Sequence, residues 1–136
     1  MNYLICRSLG GTVFCVRQDD DARGQKVVFH IPLHSPSGFE TGYSGNGPAD
    51  LALAILADYL QESGRLVLEA AAGRGTSAAL AAHQDFKRDF IARFVLGFGE
   101  KVLLRGDWIE LWLAHRQVLH KQSVESALAQ PGKEQT

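Results

Sequence analysis

Residues 39–60 read FETGYSGNGPADLALAILADYL, with three glycines in six residues followed at once by an apolar run. Whether this stretch cradles a phosphate or seats a buried helix decides both the fold and the class of function. Pro48 suits the first helical position, and Asp50 in the first turn offsets the positive end of the helix dipole. From Ala49 to Leu60 only Asp50 and Asp58 are polar, so the helix is apolar nearly all round and belongs at the centre of the domain. The spacing of Gly42, Gly45 and Gly47 fits neither dinucleotide nor P-loop patterns, and no Lys-Ser or Lys-Thr follows. A helix N-terminus attracts anions, but Asp50 placed there would repel one. The glycines are therefore expected to take positive φ in a structural loop, with Asn46 in left-handed geometry and Tyr43 packing its ring while its hydroxyl stays wet.

Upstream of the helix, YLICRSL and TVFCVRQ flank Gly10-Gly11 and predict a hairpin closed by a two-residue turn. That count sets Leu9 opposite Thr12 and Cys6 opposite Cys15, facing thiols that a cytoplasmic chain keeps reduced. Asp19, Asp20 and Asp21 follow as a solvated loop tip. KVVFHIPL (26–33) returns as a third strand, held to an edge or ended by Pro32.

Downstream, Thr76 is placed to cap a second helix running to about Val95, with Ala79, His83, Phe86, Phe90, Ile91 and Phe94 on one face. Lys87, Arg88 and Arg93 fall off that stripe as a solvated face. Gly97 to Gly99 ends it, KVLL (101–104) makes a fourth strand, and Asp107 caps a third helix with Trp108, Leu111, Trp112 and Leu119 at helical spacing. The order βββ-α-α-β-α predicts a small α+β domain: an antiparallel sheet of about four strands, a central buried helix and two further helices. A single domain is expected over residues 1–128, with a disordered tail over 129–136.

Composition narrows function. The 136 residues carry a net charge of −1, which leaves no overall attraction to nucleic acid as a direct partner. No apolar run is long enough for a bilayer and no signal peptide is visible, so the expected location is cytoplasmic. His30 and His34 flank Pro32, His115 and His120 lie five apart, and the two cysteines have no second pair; neither a metal site nor a cofactor is expected. No positioned nucleophile, base and orienting group can be named, so no catalytic residue is assigned.

LVLEAAAGRGTSAAL (66–80) resembles the first motif of S-adenosylmethionine-dependent methyltransferases, closest to the LEPSAGRG form of adenine DNA methyltransferases, through Leu68, Glu69, Ala72, Gly73, Arg74 and Gly75. Ala70 replaces the proline of that form, no Asn-Pro-Pro-Tyr or Asp-Pro-Pro-Tyr follows, and too little chain remains for the cofactor domain. The match is read as coincidence.

A second resemblance spans residues 3–113. Phe39-Glu40-x-Gly42-Tyr43-x-Gly45-x-Gly47-Pro48-Ala49-x-Leu51-Ala52-Leu53-Ala54-Ile55-Leu56 is similar to the core of an uncharacterised domain family. Its members are small proteins of phages, plasmids and integrative elements. An Arg-containing opening hairpin, Phe86-Lys87, and Ile109 with Trp112 and Leu113 extend the match. The resemblance implies no catalytic residues. It implies a non-enzymatic accessory protein of a mobile element that binds a macromolecule, such as an anti-CRISPR-like inhibitor of a host defence complex. Tyr43, Asn46, Asp19, Asp20, Asp21, Lys87, Arg88 and Arg93 are the candidate contacts. The alternative is a small-ligand module for a nucleotide or S-adenosylmethionine, built on residues 42–47 or 69–75.

Overall fold

Four antiparallel strands form one sheet in a computed structural model that describes residues 1–20, 24–64 and 77–116. The strands are β1 (Asn2–Arg7), β2 (Val13–Gln18), β3 (Gln25–Val27) and β4 (Lys101–Leu104), in the order β3-β2-β1-β4. Alternation along β1 and β2 sends Tyr3, Ile5, Val13, Cys15 and Arg17 to one buried face, joined by Leu104 across the β1–β4 register. Phe14, Val27 and Leu103 remain exposed.

The hairpin register differs by one residue from the expectation. Ile5, not Cys6, lies opposite Cys15, and Cys6 faces Phe14. The turn holds three residues rather than two: Ser8 N–H donates to Thr12 O at 2.9 Å, and Gly11 N–H to Ser8 O at 3.0 Å. A one-residue slip moves a side chain to the other face of the sheet. Cys6 and Cys15 therefore occupy opposite faces, and both are free thiols. The third strand is also shorter than predicted, ending at Val27 while Val28 N–H still reaches Cys15 O.

Helix α1 (Asn46–Glu62) is buried along nearly its whole length, as its apolar composition requires. It lies on the inner sheet face, where Tyr3 Oη donates to Asp58 at 2.6 Å and Arg17 reaches the same carboxylate at 2.9 Å. Its start differs from the expectation: Gly45 is the N-cap, so Pro48 is the third helical residue and Asp50 lies beyond the first turn. Gly42 has φ of +89° as expected, but Gly45 is extended at −157° and Gly47 is helical. What requires a glycine at Gly47 is close approach: a Cβ there would sit 2.7 Å from Glu40 Cβ and 3.0 Å from its backbone nitrogen.

Helix α2 (Ser77–Asp89) packs on α1 through Ala79, Ala82, His83 and Phe86, the i, i+3, i+4, i+7 stripe. It stops at Asp89, and a 3-10 turn (Ile91–Arg93) carries Ile91 into the core, so the single long helix expected to Val95 is two elements. Residues 66–76 of the methyltransferase-like string, Thr76 included, lie outside the described residues, as do Leu119 and the tail, while residues 77–80 of the string open α2.

The chain divides into two compact units, Met1–Leu104 and Arg105–Thr136. In the second, a helix α3 is described over residues 106–116. It begins one residue before Asp107, which lies inside it rather than capping it. Its buried hydrophobic side chain is Ile109, while Trp108 and Leu111 of the predicted stripe are exposed. Arg105 binds Asp107 at 2.7 Å and lies over the Trp108 ring. Among the described residues, no helix is long and apolar enough to cross a membrane.

Candidate functional site

Three loops converge at one end of the first unit, and Arg7 is the residue that ties them. Its Nη2 and Nη1 reach the two Glu40 carboxylate oxygens at 2.7 and 3.3 Å. Nη1 also donates to Gly11 O at 2.9 Å, and Nε to Leu96 O at 2.8 Å. One guanidinium thus holds the hairpin tip, the glycine-rich loop and the segment before β4. The paired hydrogen bonds to Arg7 keep the Glu40 carboxyl below its ordinary range, so the ion pair stays charged.

Further bonds stiffen the same end. Thr41 Oγ1 lies 2.7 Å from Ile91 O and 3.0 Å from Phe94 O, and Gly42 N–H donates to Ile91 O at 3.1 Å. The positive φ of Gly42 brings its backbone against Val95, where a Cβ would lie 3.2 Å from Val95 Cα. Leu9 packs toward Gly99, and Phe98 toward Gly11.

On this bonded platform stand four exposed apolar side chains: Leu9 (85% exposed), Val95 (79%), Phe98 (73%) and Tyr43 (52%). They stand on three loops held from beneath, Val95 and Phe98 sharing the segment before β4.

Of the residues singled out from sequence, Tyr43 belongs to this end, its ring lying over Gly45. Asn46 is exposed as the first residue of α1. The acidic loop is more engaged than a solvated tip: Asp19 binds Arg17 at 3.0 Å, and Asp20 takes the N-terminal ammonium. Both border a polar cleft of about 300 Å³ with Asn2, Gln18, Gly24 and Gln25. Asp21 lies outside the described residues. Arg88 is matched by Asp85 and Asp89 at 3.1 Å each, and Arg93 sits on the 3-10 turn rather than on the helix of Lys87 and Arg88.

Asp50 corrects the argument made from its position. It is fully buried and turned toward residues 30–35, accepting from His34 N–H at 2.8 Å and Ser35 N–H at 2.9 Å, with His30 Nε2 at 2.8 Å. Burial works against its charge, but the bonds from His30, Ser35 and His34 outweigh it and hold the carboxyl below its ordinary value. It neither lies in the first turn nor guards it. The helix N-terminus is instead crowded by Tyr43 at Gly45 and Glu40 at Gly47.

Sequence reading missed a histidine pair. His34 Nε2 lies 2.9 Å from His83 Nε2, and His83 Nδ1 donates to Leu80 O at 2.7 Å. The partners are far apart in the chain, and no periodicity signals the contact. Among the described residues, no group of three or more His, Cys, Asp or Glu side chains could hold a metal ion.

A model of a family of unknown function, DUF6166, matches residues 4–115. The chain belongs to this family. The match takes in β1 from Leu4 onward, β2, β3 and β4, all three loops of the Arg7-bound end, and both residues of the histidine pair. No curated protein and no solved structure matches the chain.

Proposed function

We propose that this protein is a non-enzymatic binding module that docks another protein through Leu9, Tyr43, Val95 and Phe98. The observation that carries the reading is the exposure of these four side chains on loops locked by Arg7. Apolar and aromatic groups lose little entropy on binding when their backbone is already fixed, which is how a small rigid patch becomes an interface centre. The fitting partner is a protein surface with an apolar depression. The resemblance to mobile-element proteins supports a concrete form, an accessory protein that occludes a host defence complex.

The test expresses tagged wild type and the Leu9→Glu/Phe98→Ser variant in a host carrying active defence systems, after matched melting curves establish that both fold. The expected result is a partner co-purified with wild type only, with loss of host immunity following the same pattern. A partner retained equally by the variant would overturn the assignment. So would capture abolished instead by Val27→Lys on the sheet.

A further inference from the structure

The His34–His83 pair joins two separately anchored pieces of backbone. His34 is fixed through its own N–H to the buried Asp50, and His83 is buried on α2 with its Nδ1–H committed to Leu80 O. A carbonyl oxygen only accepts, so neutral His83 carries its proton on Nδ1 and offers a bare Nε2 lone pair. Such a fixed tautomer, set by a backbone carbonyl, is the usual support behind a metal-binding imidazole.

The ring geometry is informative. The ring centres lie 5.2 Å apart with planes inclined by 19°, and the Nε2 atoms face each other at 2.9 Å. The rings are therefore head to head, with one proton between them. A ring centre lies about 3.2 Å from a zinc ion at a bond length of about 2.0–2.1 Å. Two centres at the observed 5.2 Å would subtend about 109° at that ion, the tetrahedral angle. The ion would take the place of the bridging proton once each ring tilts to turn its Nε2 lone pair off the line between the ring centres.

We propose that His34 and His83 form a two-imidazole site for a tetrahedral divalent ion of the zinc class. The proton on His34 Nε2 moves to Nδ1 of the same ring, so both nitrogens present lone pairs and no net proton is released. His34 is only half-buried, which leaves the other two positions to water or to a donor from a bound molecule. Two protein ligands make the ion exchangeable rather than structural.

The deciding experiment titrates the full chain with Zn²⁺ by calorimetry and with Co²⁺ by visible absorption. Wild type is expected to take up one ion per chain and to give the intense d–d bands of tetrahedral cobalt. His34→Gln, a change at a half-exposed position, is expected to weaken uptake at least tenfold and abolish those bands with its melting curve preserved. His115→Gln, an exposed position on α3, is expected to leave both unchanged. His83→Gln is the companion variant, and loss of its fold leaves the decision to His34→Gln. No saturable uptake by wild type, or equal binding and equal bands in His34→Gln, would overturn the site.

Discussion

Tyr3 and Asp58 meet at 2.6 Å across the interface between sheet and central helix, and Arg17, 3% exposed, binds the same carboxylate. The desolvation cost of the buried guanidinium is offset by Asp58, with Asp19 and Glu62 around it. Asp58→Asn keeps the shape and removes the main countercharge. The expected cost is about 2–3 kcal/mol, below the usual cost of orphaning a buried charge because two carboxylates remain. Tyr3→Phe removes one hydrogen bond, for about 1 kcal/mol. Urea unfolding of the two variants ranks them, and the reverse order would contradict this account of Arg17.

Gly47 and Gly42 make different demands on the chain. Alanine normally strengthens a helix by about 1 kcal/mol over glycine. At Gly47 the added methyl would press on Glu40, including its backbone, so Gly47→Ala is expected to destabilise by about 1–3 kcal/mol. At Gly42 the positive φ adds backbone strain of about 1 kcal/mol or more. Thermal melts give the sign directly: a gain in Tm at Gly47→Ala would mean that the contact with Glu40 yields freely.

Asp50 makes stability depend on acid in a predictable direction. Its folded-state pKa lies below the ordinary 3.8, so its contribution is complete above that value and is lost as pH falls through the lowered one. Asp50→Asn is expected to cost about 2–3 kcal/mol at pH 7, where it disturbs bonds from the backbone N–H groups of His34 and Ser35 and from His30. The gap to wild type should close progressively below pH 4. Melting curves for both proteins across the acid range check this, and parallel pH profiles would exclude the role given to Asp50.

The register of the hairpin dictates thiol behaviour. Burial raises the pKa of both Cys15 and Cys6, and Cys15 is fully buried. A thiol-specific reagent should label Cys6 alone in the native protein, slowly, and reach Cys15 only in denaturant. Cys6→Ala should then leave the native state unreactive, and mild oxidation should form no internal disulfide. Mass spectrometry of the labelled chain reads all three outcomes.

At the alkaline end, burial also raises the Tyr3 hydroxyl, with Asp58 adding to the effect. Groups raised in the folded state contribute stability below their ordinary values, 9.0 for Cys15 and 10.0 for Tyr3, and lose it as pH rises beyond them. Stability should therefore fall above about pH 9, and Tyr3→Phe with Cys15→Ala should flatten that fall. An unchanged slope in the double variant would place the alkaline limit elsewhere.

The strands and the buried central helix were legible because each rests on local pattern. A helix with only Asp50 and Asp58 polar in its apolar run has no exposed face, and here it lies between the sheet and α2. The register was not legible, because one residue more or less in the Leu9–Gly11 turn reverses every side chain and both counts suit the same glycines. The roles of the two acids were hidden for a different reason. Their donors, Tyr3 and Arg17 for one and residues 30–35 for the other, come from distant parts of the chain. Tyr43 was singled out from its loop, whereas Leu9, Val95 and Phe98 needed the fold to bring them to the same end. The His34–His83 contact is likewise a product of tertiary packing.

The pairing of β1 with β4 also sets a timetable for synthesis. Tyr3 is made well before its partner Leu104, which ends the first unit. At about 5–20 residues per second, β1 waits on the order of 5–20 s for that neighbour. Throughout this interval the hairpin presents one open edge of backbone donors and acceptors, the geometry that recruits strands from other chains. A nascent chain stalled before Lys101 thus carries the six-residue β1 as a sheet edge, and pairing with β4 replaces it by an edge of four residues.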